Sequence, residues 1–238
     1  AMISLDDYVS RASEEQEQIY YISGVDIPTI ERNPNLEAFR SRGLEVIYLT
    51  DPVDEFVLNH LGKFDEKDLV PVDSSDVKFP EKKSADGEEK SDDEKSKDDS
   101  ESAAPAGFET VVALFKEALG DKVSEVKESK RLTTSPCCLV NQDGGLSAQL
   151  QKVLGQSGEG FPTSARILEL NTQHPLVQKL AFLAANADHA AFVQTCGQHL
   201  YTNAMLADGN IPDPHEASDR ILGFMQELAD GRSPIAGA

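Results

Sequence analysis

The sequence predicts two folded parts, α/β and then α+β: a small three-layer αβα domain, followed by a mixed α/β C-terminal domain ending in a helical bundle. Three observations lead there. Two short, nearly continuous apolar runs, "QIYYIS" and "LEVIYLT", are joined through a helix pattern, as in a small parallel sheet covered on both faces. A long acidic stretch then interrupts the apolar periodicity. Beyond it, strand patterns give way to three consecutive helix patterns near 175–185, 188–208 and 214–230. The expected division is residues 1–72 for the first domain, 73–107 for a flexible linker and 108–238 for the second domain.

In the first domain the strand "QIYYIS" leads to Asn33-Pro34, an N-cap and first-turn proline ahead of the helix "NLEAFRSR". Gly43 stands where a C-terminal stop is expected. The strand "LEVIYLT" follows, and Asp51-Pro52 opens a second helix, "VDEFVLNHLG". The segment "KKSADGEEKSDDEKSKDDSESAAPAG" has almost no apolar residues and cannot offset the entropy of ordering, so it reads as a solvated spacer.

The second domain opens with "GFETVVALFKEALG", a helix whose Val111, Val112, Leu114, Phe115 and Leu119 face a core. Two strands, "KVSEVKESKRL" and "SPCCLVNQ", precede a short helix "GLSAQLQKVLG" and a strand "ARILELN". Asp213-Pro214-His215-Glu216 delimits the last helix with an N-cap, a first-turn proline and a capping-box acid.

Several chemistries are disfavoured by composition and spacing. Three cysteines are an odd count without disulfide or zinc spacing, and the adjacent Cys137 and Cys138 point to opposite faces of a strand, so they read as packing residues of a reduced chain. "GQSGEG" lacks the Lys-Ser/Thr of a phosphate-binding loop. The five histidines are scattered, and acid pairs such as Asp54-Glu55 diverge by about 100° on a helix. No catalytic residue and no metal ligand is therefore assigned. A net charge of -20 argues against nucleic acid and anionic membrane as partners. No run approaches the roughly 18 apolar residues of a membrane-spanning helix, and the start lacks a basic-then-apolar signal, which points to the cytoplasm. Ala1 ahead of Met2, and the direct entry at "ISLDDYVSRASEEQ", suggest a piece of a longer chain.

Apolar faces carry the remaining information. On the last helix Ile221, Leu222, Phe224, Met225, Leu228 and Ala229 span an arc of roughly 160°, wider than one neighbour needs. The preceding helix offers Phe192, Val193, Cys196, Leu200, Ala204 and Leu206. Two such pairs from two copies would close a four-helix bundle, so the expected homodimer interface is Phe192, Cys196, Leu200, Ala204, Ile221, Leu222, Met225 and Leu228. Leu146, Leu150, Val153 and Leu154 fall on one face of a helix of about ten residues, too short to stand alone, flanked on both sides by glycines. The pattern fits either a helix packed on the core or a reversible contact site.

The words "EEQEQIYYISG", "NPNLEAFRSRGLEVIYLTDPVDEFVLNHL", "KESKRLTTSPCCLV" and "LELNTQHPLVQKL" resemble, in order and spacing, the ninety-kilodalton heat-shock protein (heat shock protein 90) chaperones of bacterial type. The resemblance implies the end of the family's middle domain plus its C-terminal dimerisation domain, without the N-terminal ATPase domain. It implies a homodimer that binds unfolded or partly folded client proteins. Leu146, Leu150, Val153 and Leu154 would then form the client-contact helix, with Phe56 as a further aromatic contact. ATP and magnesium belong to the full-length family, and no cofactor is implied for this stretch. The ending "ADGRSPIAGA" departs from the acidic peptide of eukaryotic cytosolic members, so a tetratricopeptide co-chaperone is not expected. Two other readings remain: a stand-alone α/β nucleotide-binding enzyme, disfavoured by the missing glycine fingerprint, and a dimeric scaffold that recognises partners through the acidic insertion.

Overall fold

The computed structural model describes residues 3–80, 104–142, 165–209 and 213–230. The chain is mixed α/β with two mixed sheets. In the first part, β1 (Gln18–Ser23) lies between β2 (Ile47–Leu49) and β4 (Lys67–Pro71), parallel to both, and β3 (Lys63–Phe64) adds antiparallel to β4. Alternation along β1 decides what each side chain meets. Ile19 and Tyr21 pack with residues of α1 (Leu5–Arg11) and α4 (Pro52–Leu61). Tyr20 and Ile22 pack with Ile30 of α2 (Ile27–Glu31) and Phe39 of α3 (Glu37–Arg42). The expected caps are in place: Asp51 accepts from Val53 N–H, and Gly43 ends α3 in the left-handed region at φ 68°.

The β3–β4 hairpin was not anticipated. Its two-residue turn is Asp65-Glu66, both at positive φ (49° and 62°), where glycine or asparagine would have announced it. The strand "KDLVP" also carries two charges that mask its pattern. The linker expectation needs a correction as well, because the stretch from Asp73 to Phe79 carries structure. Val77 and Phe79 pack against the Tyr20–Phe39 cluster, and Tyr20 Oη donates to Lys78 O. Ser74 forms a parallel bridge with Asn141 of the second part. Two apolar residues and a run of backbone partners suffice to order a segment whose composition looks like spacer.

The second part has the order β5–β7–β6, with β5 (Val123–Glu128) parallel and β6 (Cys137–Val140) antiparallel to the central β7 (Arg166–Leu170). One large core joins this sheet to α5 (Phe108–Leu119), α6 (Pro175–Ala184) and α7 (Ala190–Ala207), and α8 (Pro214–Asp230) follows. Val111, Phe115 and Leu119 are buried as expected, with Val112 and Leu114 at the margin. The cysteines are packing residues on opposite faces of β6: Cys137 belongs to the large core and Cys138 to a small cluster with Leu132, Val140 and Ile167. Burial pushes the Cys137 thiol up to about 12, and it also holds the Cys138 thiol well above its ordinary value. The predicted helix over 145–155 lies outside the described residues.

Helices α5 and α7 approach closely where Gly197 faces Phe115. A Cβ on Gly197 would sit 2.7 Å from Phe115 Cδ1 and 2.9 Å from Cγ. Because Phe115 is fully buried, it has little room to yield. Gly197→Ala is therefore expected to lower stability by about 1–3 kcal/mol, read from denaturant midpoints. An unchanged midpoint would show that the two helices part freely.

Candidate functional site

Helix α7 spends its apolar face on the chain's own core. Cys196, Leu200 and Ala204, expected at a dimer interface, are 7%, 4% and 3% exposed and pack in the cluster that contains Phe115. This is a correction: α5 and the sheet already cover that face, which sequence periodicity could not reveal. Phe192, alone of the four residues expected there on this helix, remains open, at 37%.

Helix α8 behaves differently. Phe224 turns inward, its ring 4.8 Å from that of His199, and Arg220 Nη1 donates to Thr202 Oγ1 at 3.1 Å. Asp213 caps the helix by accepting from His215 N–H, whereas Glu216 pairs with Lys122 and Arg220. These contacts hold one edge of the helix. Ile221, Leu222, Met225 and Leu228 are turned to solvent at 48%, 59%, 59% and 42% exposure. Ile221, Met225 and Leu228 follow i, i+4, i+7 spacing and form one stripe.

A second apolar face lies on α4. Phe56 is exposed, and Val53, Val57 and Leu61 are exposed with it. Leu58 and Glu55 hold the opposite side: Leu58 joins the core, and Glu55 accepts from Ser23 Oγ at 2.6 Å. The family resemblance implies Phe56 alone on this helix, although the i, i+3, i+4, i+8 spacing in "VDEFVLNHL" marks Val53, Phe56, Val57 and Leu61 together. Leu146, Leu150, Val153 and Leu154 lie outside the described residues.

A polar seam joins the two parts and sets these surfaces relative to each other. Arg166 Nη1 pairs with Asp208 at 2.6 Å, its Nη2 donates to Leu139 O, and Asp73 lies 3.9 Å away. Asn33 Nδ2 also donates to Asp208, and Asn35 Nδ2 to Leu139 O. Arg131 donates to Val72 O and Ser74 O while Glu169 holds its Nε. Glu37, at the start of α3, accepts from the backbone of Thr133, Thr134 and Ser135. Burial works against the Glu37 charge, but these donors and the neighbouring hydroxyls outweigh it and hold the carboxyl at about 2. Asp73 goes the other way: desolvation pushes it up to about 6, Arg166 opposes the shift, and Asp208 adds to it. Burial works against Arg166 too, yet Asp208 and Asp73 keep it charged.

Among the described residues no group of three or more His, Cys, Asp or Glu could hold a metal ion, and no helix is long and apolar enough to cross a membrane. The features that stand out among the described residues are the solvent-facing apolar stripes on α4 and α8. Residues 1–234 match the model of the family described as Hsp90 protein, and the chain belongs to that family. It is similar to proteins named chaperone protein HtpG: 41% identical over 211 residues to that of Burkholderia ambifaria, covering 89% of this chain and 31% of the relative. To that of Geobacter sulfurreducens it is 38% identical over 234 residues, covering 98% and 34%, and to that of Myxococcus xanthus 37% over 231 residues, covering 96% and 34%. The chain thus spans about a third of the length of these relatives.

The seam predicts a pH dependence. Asp73 binds its proton more tightly in the folded chain, about 6 against an ordinary 3.8, so its contribution is fully present below about pH 4 and is lost as pH rises through 6. With the side chain 14% exposed, the effect is on the order of 1–2 kcal/mol. Between pH 7 and pH 5 the unsubstituted chain should gain more stability than Asp73→Asn, measured by thermal unfolding of both. Equal gains would place the titration elsewhere.

Proposed function

We propose that this chain is the dimerising and client-contacting third of a bacterial-type Hsp90 chaperone, working in the cytoplasm as a homodimer. In this reading it has no ATPase site of its own, and ATP and magnesium act in the upstream part of a full-length protein. The small αβα layer and the C-terminal domain divide the work between them. The observation that carries the reading is the solvent-facing stripe of Ile221, Leu222, Met225 and Leu228 on a helix held at one edge. Apolar side chains in one stripe lose their hydration cost when a second copy covers them, and a two-fold axis lets the same stripe serve both sides. An obligate interface of this kind buries on the order of 2,000 Å², so Phe192 and neighbouring surface must join α8. Membership of the Hsp90 family and the printed name of its relatives support the chaperone role.

Client contact falls on two places in this reading. One is the Phe56 face of α4, extended by Val53, Val57 and Leu61. The other is the segment with Leu146, Leu150, Val153 and Leu154. Both would present apolar area to unfolded chains, whose own apolar groups are exposed. Nucleic acid, membranes and tetratricopeptide co-chaperones are not partners in this reading.

Light scattering at micromolar concentration should give twice the 25.9 kDa chain mass, and Leu222→Asp with Met225→Asp should halve it. A monomeric parent, or a double variant of unchanged mass, would remove the dimer from the proposal. Phe56→Ser with Val57→Ser, and separately Leu150→Ser with Leu154→Ser, should weaken capture of a partly folded client several-fold while leaving the dimer intact. A folded dimer that captures clients equally well with both pairs changed would locate the contact elsewhere.

A further inference from the structure

Six uncharged donors from three consecutive residues converge on one carboxylate at the seam. The N–H groups of Thr133 and Thr134 reach Glu37 Oε2 at 2.6 and 2.7 Å, and that of Ser135 reaches Oε1 at 3.0 Å. The hydroxyls of Thr134 and Ser135 donate to Oε1 at 2.8 and 2.6 Å, and that of Thr133 to Oε2 at 3.3 Å. Successive backbone N–H groups that point into one concavity form an anion-binding nest, and hydrogen bonds to a charged oxygen are its strong contacts. The nest belongs to the second part of the chain and the carboxylate to the first, 96 residues earlier. Thr133 and Thr134 are exposed, so the cup is reachable from solvent once Glu37 withdraws.

We propose that the Thr133–Thr134–Ser135 turn is a binding site for oxyanions of the carboxylate or phosphate class, that Glu37 is its built-in ligand, and that exchange of Glu37 for a free oxyanion releases the α3 edge of the first part from the second. The exchange is non-covalent and needs no proton transfer near neutrality, because the carboxylate and the incoming anion are both charged. It loosens the seam because the displaced Glu37 then faces an occupied nest of like charge. Asn35, two residues before Glu37, donates to Leu139 O at 3.2 Å, so its side-chain amide reports on that edge. Arg131 and Arg166 lie on other parts of the seam and keep their partners.

The test is an amide NMR titration of the full chain and of Glu37→Ala, with sodium phosphate in one arm and sodium acetate in the other, at constant ionic strength against sodium chloride. In Glu37→Ala the Thr133, Thr134 and Ser135 amides should shift saturably, and the arm that saturates names the class of anion. The unsubstituted chain should need at least about tenfold more anion, since a tethered carboxylate competes at an effective concentration on the order of millimolar. Its Asn35 side-chain amide should move in step with the three backbone amides. No saturable shift with either anion, or the same shift with chloride, overturns the site; occupancy that leaves Asn35 unmoved overturns the release. Should Glu37→Ala fail to fold, Glu37→Gln, which keeps the shape without the charge, carries the same titration and criteria. The unsubstituted chain at high anion is judged by the same amides.

Discussion

Arg166 is the point on which the two parts of this molecule meet. It opens the central strand β7, yet its guanidinium reaches the end of α7 through Asp208, the neighbouring strand through Leu139 O, and the exit of the first sheet through Asp73. A guanidinium this deeply buried is tolerated because it faces two carboxylates and a carbonyl, and the carboxylates are tolerated because of it. Removing it would take away the guanidinium with which both Asp73 and Asp208 pair. Around this point the seam is polar: Arg131 on two carbonyls, Asn33 and Asn35 on the other side, Glu37 in its nest. Among the described residues, no apolar cluster contains residues from both parts. Polar interfaces between domains are the kind that move.

That division has a consequence for the exposed faces. Each part buries its own core independently, so the stripes on α4 and α8 are not leftovers of an unfinished fold. In α4, Leu58 and Glu55 satisfy the inward side while four apolar residues stay out; in α8, Phe224 is the inward anchor. A helix fixed along one edge and apolar along another is poised to bind a surface of similar character. Because α4 sits before the seam and α8 after it, the contacts of Arg166, Arg131 and Glu37 help to fix how the two faces are held relative to each other.

Much of the fold was legible in the residues. Apolar runs flanked by caps marked β1, β2, α3 and α4, since local rules of capping and periodicity hold whatever the tertiary context. The hairpin of β3 and β4 escaped because Asp65 and Glu66 adopt a backbone conformation that sequence rules assign to glycine or asparagine. Asp73 to Phe79 escaped because its order comes from partners far along the chain, Gln18, Tyr20 and Asn141. For the candidate surfaces the residues marked α8 correctly as amphipathic, but they marked α7 in the same way. Cys196, Leu200 and Ala204 then proved to face α5 and the sheet.

By itself, then, the sequence determined which residues are apolar at helical or strand spacing, where helices begin and end, and which family the chain belongs to, because all of these are properties of short stretches read in order. Only the tertiary structure decided which apolar faces are spent and which remain. An apolar stripe looks the same whether its partner is a helix 80 residues away or a second molecule. The same holds for charge. Glu37 and Asp73 are ordinary carboxylates in the sequence, and they separate to about 2 and about 6 because one meets six donors while the other is stripped of water beside Asp208, a burial that Arg166 only partly offsets.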